Sequence, residues 1–306
     1  MEKKTDDFIM FPTVDVCFKG LMHNPKVRKG FIAALLGRSP NEIEDTTLLP
    51  TILQPEYTED KLGILDVRVR LRDGIQIDME MQVAYFAHWD ARSVFYLSKM
   101  FVDQLKKGES YEKLKKCIHV SILDFIYFED DTECYRKVGF CDQSTGQVYA
   151  DLMEIQVLEL RKIPKEVKSQ DKLLNWMRFL SGKSREEFED MAKTSEYLDE
   201  AYQELQKLSA DDRARLEYEA REKAIRDYNS QISSSLQRGI EQGVKQGIER
   251  GIKQGKQEIL LELTRKKLEK GMGVEEIACL LEEDQKVIRE LAQKIQEEGT
   301  ETGADR

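Results

Sequence analysis

The sequence predicts an α/β protein, in which a mixed β-sheet core is followed by an all-helical C-terminal extension. Residues 65–82 alternate between apolar and polar side chains around an Arg-Asp-Gly turn, which is the pattern of a β-hairpin. A stretch with helical spacing then leads to residues 117–128, a nearly continuous apolar run typical of a strand buried on both faces. A strand–helix–strand crossover joined to a hairpin gives a mixed sheet. From Pro164 onward the pattern is helical.

The composition argues against several classes of protein. The chain has 306 residues, 35% of them charged, and this share favours long exposed helices beside one sizeable domain. Its net charge of -10 does not favour nucleic-acid binding through the overall field, so such binding needs a local patch or a metal. Five cysteines without a CxxC pair and three histidines without zinc-site spacing predict neither a disulfide framework nor a zinc centre.

The sequence also predicts a cytoplasmic protein with reduced thiols and no membrane partner. The N-terminal stretch MEKKTDDFIMFP lacks the apolar segment of a signal peptide, and no apolar run is long enough to span a bilayer. No GxxxxGK[ST] motif occurs, so a P-loop nucleotide hydrolase is not expected.

The first elements follow from capping and breaking residues. Residues 13–36 have helical apolar spacing, with Thr13 as the predicted N-cap, a restart after Pro25 and a stop at Gly37. Residues 43–54 are ambiguous and are compatible with a strand.

The elements after the hairpin complete the predicted sheet. Residues 88–107 form a predicted helix that ends at Gly108, and the strand 117–128 follows it. His119 lies inside this apolar strand, which favours a hydrogen-bonded core histidine over a ligand. Two further strands are predicted in CYRKVGFCD and VYADLMEIQVLEL, with QSTG as the turn between them.

The hairpin has a predictable register. Both strands place odd-numbered apolar residues on one buried face, so facing residues share parity and the loop has an odd length. A three-residue loop that ends at Gly74 in the left-handed conformation meets this requirement. Arg68 then faces Asp78 as a cross-strand salt bridge, and Asp66 faces Glu80.

The facing carboxylates Asp66 and Glu80 need an explanation. Side chains at such positions lie about 5 Å apart at Cβ, where like charges are destabilising. A divalent cation resolves the conflict, because Mg²⁺ is commonly held by one or two carboxylates together with water and substrate phosphate. Gln82 lies on the same face within reach of the same ligand. The alternative is a solvated face on which the two acids point apart into water.

These motifs, in this order, resemble the PD-(D/E)xK nuclease superfamily. Asp66, a gap of thirteen residues and then Glu80-x-Gln82 in a hairpin form the core of the resemblance. More narrowly, the chain resembles the recombination-promoting nuclease/transposase family, and the similarity covers most of its length. The matching stretches are DVCFKGLM, LDVRVRLRDGIQIDMEMQ, RSVFYLSKMFVDQLKKGESYEKLKKCIHVSILDF, STGQVYADLMEIQVLEL and the glycine-punctuated tail. The resemblance implies a restriction-endonuclease-like fold.

The resemblance also implies a metal-dependent endonuclease acting on DNA, with a link to recombination or mobile elements. Asp66 and Glu80 would hold Mg²⁺ or another divalent cation, and Gln82 would occupy the place of the superfamily's lysine. Because a neutral amide supplies no positive charge, we hypothesise that Lys19 provides the missing cation. The alternative function is a catalytically weak DNA- or protein-binding module that assembles through its helical tail.

Two helical pairs are further candidates. Asp15 matches the family's early acidic position and is a predicted catalytic residue, although Asp15 and Lys19, four residues apart, also form an ordinary stabilising pair. Arg92 and Tyr96 share this spacing on the helix after the hairpin, where Arg92 is predicted to contact DNA phosphate or to cover the helix surface.

The tail contains a glycine ladder, defined as residues 239–255, with glycine at every fourth position: Gly239, Gly243, Gly247, Gly251 and Gly255. In a helix these glycines cost roughly 4–5 kcal/mol relative to alanine, so the helix needs a partner. Recurrent charges exclude insertion into a membrane. The remaining interpretations are homo-oligomerisation through the C-terminal helices, contact with DNA phosphates, and a flexible linker.

The chain is predicted to contain three parts. Residues 1–163 form the nuclease-like domain, 164–237 a helical linker region, and 238–306 the glycine ladder with a small helix-turn-helix-like tail. The last helices are acidic, which favours contact with a partner or a second copy over reading of DNA bases.

Overall fold

A computed structural model describes residues 8–53, 63–85, 87–168 and 170–301. The chain divides into two compact units, Met1–Asn229 and Ser230–Arg306. The helices are α1 Asp15–His23, α2 Pro25–Leu36, α3 Trp89–Val102, α4 Lys172–Ser181, α5 Arg185–Ala192, α6 Glu196–Ala210, α7 Asp212–Leu268, α8 Val274–Leu281 and α9 Gln285–Glu301. The strands are β1 Thr46–Leu49, β2 Ile52–Leu53, β3 Gly63–Ile64, β4 Val67–Leu71, β5 Gln76–Gln82, β6 Cys117–Leu123, β7 Tyr135–Cys141 and β8 Val148–Glu159.

The first unit is built on a mixed six-stranded sheet with the order β1-β4-β5-β6-β8-β7. The central strands β5, β6 and β8 run parallel, whereas β1, β4 and β7 are added antiparallel. Helix α3 provides the crossover between β5 and β6, as the apolar pattern predicts. The predicted α/β core with a helical extension is therefore confirmed, and the ambiguous residues 43–54 contribute β1 and β2.

The hairpin register is also confirmed. Arg68 pairs with Asp78 and Val67 with Met79 across β4 and β5, so the same register continued by one residue sets Asp66 against Glu80. Gly74 has a φ of +91°, the left-handed conformation that the odd-length turn requires.

The two faces of the sheet are covered by different elements. Odd-numbered residues of the hairpin join the main hydrophobic core together with α1, α2 and the helices after the sheet. Helix α3 covers the other face, where Trp89, Leu97 and Met100 contact the apolar side chains of β6 and β8. The expectation of a single buried hairpin face is therefore wrong: Asp78 and Glu80 are both at most 1% exposed. Because β5 lies inside the sheet under a helix, its polar face is buried too.

Two local predictions are wrong for physical reasons. Thr13 does not cap α1, since Val14 holds the N-cap position and the Thr13 hydroxyl accepts a hydrogen bond from Lys183. Strand β6 ends at Leu123 rather than at residue 128, because Tyr127 and Phe128 donate their backbone N–H groups to the Glu159 carboxylate.

The helices that follow the sheet are part of the first unit. Trp176, Phe188 and Leu205, one each from α4, α5 and α6, belong to the main hydrophobic core. The predicted boundaries at residues 163 and 237 rest on sequence patterns and stay predictions. The boundary between the two compact units falls after Asn229, between these two positions in the sequence.

The second unit has its own small core. Ile277, Ala278 and Ile288 of α8 and α9 are buried, and apolar side chains from the end of α7 pack against them. Gly271, with a φ of +80°, makes the turn between α7 and α8. The long helix α7 is thus followed by a glycine turn, the short helix α8 and then α9.

Candidate active site

The candidate site lies where the start of β4 approaches the middle of β5. Asp66 directly precedes β4, and its Oδ2 accepts a hydrogen bond from the backbone N–H of Met81, at 3.2 Å. Met81 is the neighbour of Glu80 in β5, so this bond fixes the Asp66 carboxylate beside the Glu80 segment. The hairpin register thus places the two predicted metal ligands together.

A line of alternating charges leads from Asp66 across α1. Lys19 Nζ lies 2.9 Å from Asp66 Oδ1 and 3.5 Å from Asp15 Oδ2. Arg221 Nε, on the first part of α7, lies 2.8 Å from Asp15 Oδ1. Burial opposes the charge of Lys19, but the two carboxylates outweigh it and raise the pKa of the ammonium group.

Glu80 is a buried carboxylate with a raised pKa. Its side chain is buried, and its Oε2 lies 3.5 Å from the Arg92 guanidinium. Its Oε1 has no hydrogen-bond partner among the described residues. Burial, followed by the negative charge of Asp78, raises the pKa of Glu80 from 4.5 to about 7. A buried carboxylate with one unsatisfied oxygen is poised to accept a cation or a proton.

A hydrogen-bonded chain lies beside Glu80 on the same face. Asp78 Oδ2 lies 2.6 Å from His119 Nδ1, and Ser121 Oγ lies 2.9 Å from His119 Nε2. All three side chains are fully buried. Burial opposes the charge of His119, but the hydrogen bond and charge of Asp78 raise the pKa of the imidazole. The geometry confirms the prediction of a satisfied core histidine.

The predicted salt bridge between Arg68 and Asp78 does not form, although the two residues are paired in the ladder. Arg68 instead donates to Gln76 Oε1 at 2.9 Å. The reason is that β6 lies on the other side of β5 and supplies Asp78 with a closer partner, His119.

An open cleft of about 430 Å³ lies over the site. Its lining includes the predicted residues Asp15, Asp66, Gln82 and Arg92, together with Arg221, Tyr85 and Tyr228. Arg92 also stacks on the Tyr96 ring, with 5.0 Å between the guanidinium carbon and the ring centroid. The cleft therefore combines carboxylates with two arginines and two partly exposed tyrosines.

Arg221 is the functional candidate that the sequence pattern missed. It lies 206 positions from Asp15, in a charged helix in which Arg213, Arg215 and Arg226 form ordinary pairs four residues apart. Only the docking of α7, through the buried Tyr218, brings it to the cleft.

The donor set suits one hard divalent cation. Two carboxylates and one amide provide oxygen ligands, which Mg²⁺ prefers, and the unsatisfied Oε1 of Glu80 leaves a ligand position open. Across the described residues there is no cluster of three or more histidine, cysteine, aspartate or glutamate side chains arranged around one metal position. A cation held here would take its other ligands from water and substrate.

The comparison with protein families agrees with this geometry. A family model described as PD-(D/E)XK nuclease family transposase matches residues 12–235, which include the sheet, the cleft and the first part of α7. No curated protein and no solved structure matched the chain. Within the described residues, no helix has both the length and the apolar character that a membrane crossing requires.

Proposed function

This chain belongs to the PD-(D/E)XK nuclease family transposases, and we propose on that basis that it is a divalent-metal-dependent DNA endonuclease. The observation that carries the proposal is Glu80, a buried carboxylate with one unsatisfied oxygen, set against Asp66 beneath an open cleft. On a solvated, idle hairpin face Glu80 would be neither buried nor unsatisfied. The proposed cofactor is Mg²⁺ or a similar cation.

Asp66 and Glu80 are the proposed metal ligands. Together they would hold a divalent cation, which would supply charge stabilisation for the scissile phosphate and a lower pKa for an attacking water. Glu80 must lose its proton to bind the cation, and its pKa of about 7 couples metal binding to pH. Gln82, beside them in the cleft, has an amide that can hold a water by donating and accepting hydrogen bonds.

Lys19 supplies the positive charge that Gln82 lacks. Its ammonium group contacts the carboxylate of Asp66, which is itself a proposed metal ligand. It can hold the Asp66 carboxylate in place or approach a bound phosphate. Asp15, which contacts both Lys19 and Arg221, positions these two cations and is a candidate catalytic residue through them.

The proposed substrate is DNA. Arg92 and Arg221 line the same cleft. Guanidinium groups form bidentate hydrogen bonds with phosphate oxygens. These two arginines can attract DNA phosphates locally, which the net charge of -10 of the whole chain does not do. The description of the family as a transposase supports a proposed role in recombination or in mobile elements. The cysteines, none in a disulfide, are consistent with a cytoplasmic location.

The experiment that tests this function is nicking of supercoiled plasmid by the full chain in the presence of Mg²⁺. We expect nicking by the wild type, none in the presence of a chelator, and none by Glu80→Ala or Glu80→Gln. Glu129→Gln provides the matched control, because Glu129 is an exposed glutamate outside the cleft. Binding of Mn²⁺, measured by electron paramagnetic resonance, gives a second readout that needs no turnover.

The possible outcomes separate the two functions. Tight DNA and Mn²⁺ binding without nicking would support the catalytically weak binding module instead. Nicking that survives Glu80→Ala would place the catalytic centre elsewhere in the chain.

A further inference from the structure

The glycine ladder lies within α7 and presents an unpartnered apolar surface. Its apolar ridge consists of four side chains at a spacing of four, each 56–57% exposed: Ile240, Val244, Ile248 and Ile252. The glycine ridge beside it is bare, since a Cβ added at any of these glycines would meet nothing within 4 Å. An apolar stripe on a helix weakened by five glycines needs a partner to be stable.

A charged ridge borders the apolar ridge on the side away from the glycines. With a rotation of 100° per residue, every fourth position again forms a ridge, and here the charge alternates along it: Glu241, Lys245, Glu249 and Lys253. The structure shows no ion pair for any of these four described side chains. Glu241 only accepts a hydrogen bond from Gln237, at 3.1 Å.

The alternation selects the orientation of a partner helix. In a symmetric parallel pair, the two-fold axis runs along the helices, and each flank faces the opposite flank of its partner. The charged ridge would then meet the glycine ridge, which carries no charge. In a symmetric antiparallel pair the axis is perpendicular to the helices, so like flanks face each other. Only this second arrangement sets the charged ridge against itself.

The register follows from the signs of the charges. With the two-fold axis at Gly247, Glu241 faces Lys253 of the partner subunit, and Lys245 faces Glu249 of the partner subunit. Symmetry repeats both contacts, so all four charges of each helix are matched. Moving the axis by two residues to Lys245 sets Glu241 against Glu249 of the partner subunit and lysine against lysine. The charge pattern is therefore complementary to itself in one register and repulsive in the next.

We propose that two copies of this chain associate through their glycine ladders, as an antiparallel helix pair with its two-fold axis at Gly247. The apolar ridges bury each other, and the bare glycines allow close approach of the two backbones. A DNA partner fits this ridge less well, because half of its charges are negative. The inference is independent of the proposed nuclease function.

The experiment uses two charge-reversed forms of the full chain. One carries Glu241→Lys and Glu249→Lys, and the other carries Lys245→Glu and Lys253→Glu. We expect the wild type to be a dimer in analytical ultracentrifugation, each variant to dissociate at least about tenfold more readily, and an equimolar mixture to form a heterodimer. Pairs four residues apart within one helix also depend on these charges, but mixing two chains cannot restore such pairs.

Cysteine cross-linking tests the orientation. Gly239→Cys and Gly255→Cys are introduced separately, after the exposed Cys141 and Cys279 are replaced by serine. The antiparallel pair joins residue 239 of one chain to residue 255 of the other, so we expect a disulfide when the two variants are mixed and none in Gly239→Cys alone.

Three results would overturn the proposal. The first is a monomeric wild type, and the second is a dimer that neither charge reversal weakens. The third is a disulfide between two Gly239→Cys chains, which would show a parallel pair. A monomer whose charge-reversed forms differ in affinity for duplex DNA would assign the ridge to nucleic acid instead.

Discussion

The two faces of β5 differ in what they contribute to the protein. Ile77, Met79 and Met81 point into the main hydrophobic core, where burial stabilises the fold. Asp78 and Glu80, the residues between them, are just as deeply buried on the opposite face. Burying a carboxylate costs free energy unless it is fully paired. One strand therefore combines a stabilising face with a face that reduces the stability of the fold.

The two carboxylates differ in their partners. Asp78 Oδ2 lies 2.6 Å from His119 Nδ1, although the other oxygen of Asp78 also lacks a hydrogen-bond partner among the described residues. Glu80 has one distant arginine contact and an oxygen without a partner in the described part of the chain. Because Glu80 has no ion pair as close as that between Asp78 and His119, we expect substitution of Glu80 to separate activity from stability.

The largest expected effect is that of Glu80→Gln on catalysis. Removing a metal ligand should lower the rate of plasmid nicking at least about a thousandfold, because metal binding supplies several kcal/mol of charge stabilisation in the transition state. The same change should raise the melting temperature of the metal-free protein at pH 8, because a neutral amide replaces a buried negative charge.

Calorimetry and the nicking assay, performed on one protein preparation, check both parts of this prediction. A variant that loses activity and also unfolds at lower temperature would show that Glu80 is a structural residue.

Met79→Ala should have the opposite profile. Met79 is fully buried on the apolar face, and its truncation should lower the free energy of unfolding by about 2–5 kcal/mol. The nicking rate of the folded fraction should stay unchanged. Urea titration provides the measurement, and Tyr111→Ala is the control, since Tyr111 is 82% exposed and its loss should cost no more than about 0.5 kcal/mol. An equal loss in both variants would contradict the assignment of the faces.

The raised pKa of Glu80 predicts a pH effect of intermediate size. Between pH 4.5 and about 7 the unfolded chain has lost this proton while the folded protein retains it, so stability falls as the pH rises. The difference in unfolding free energy between wild type and Glu80→Gln should change by on the order of 3 kcal/mol across that window.

Denaturant titrations at pH 4, 6 and 8 would measure this difference. The affinity for Mn²⁺ should rise over the same range, because the cation competes with the proton. A difference that does not depend on pH would mean that Glu80 has an ordinary pKa.

Lys19→Met should have the smallest effect of the four. Lys19 contacts Asp66, and the loss of a group that orients a metal ligand typically reduces activity about 10- to 100-fold. Single-turnover nicking would measure the change, with Lys107→Met as a matched substitution of an exposed lysine outside the cleft. Cleavage at the full rate would remove Lys19 from the site.

Local rules in the sequence predict much of the fold and part of the site. The alternation in the hairpin and Gly74 determine the register, and the register alone brings Asp66 to Glu80. The continuous apolar run at β6 predicts a central strand, because a strand covered on both faces has no solvated side. These inferences succeed because each depends on residues that are close in the chain.

The remaining features depend on contacts between distant segments. Asp78 prefers His119 to the facing Arg68 because β6, far along the chain, lies beside β5. Arg221 reaches Asp15 only because the first part of α7 packs within the first unit. The periodicity of a single segment cannot predict such contacts between distant segments.

The sequence by itself determined the order of elements, the hairpin register and the alternating charges of the glycine ladder, because these follow from backbone geometry and local spacing. The tertiary structure decided which polar residues are buried. The free energy of a carboxylate depends on what surrounds it, and at Glu80 the surroundings come from α3 and from the sheet. The perturbed pKa of Glu80, which would couple the proposed metal binding to pH, is therefore a property of the folded protein alone.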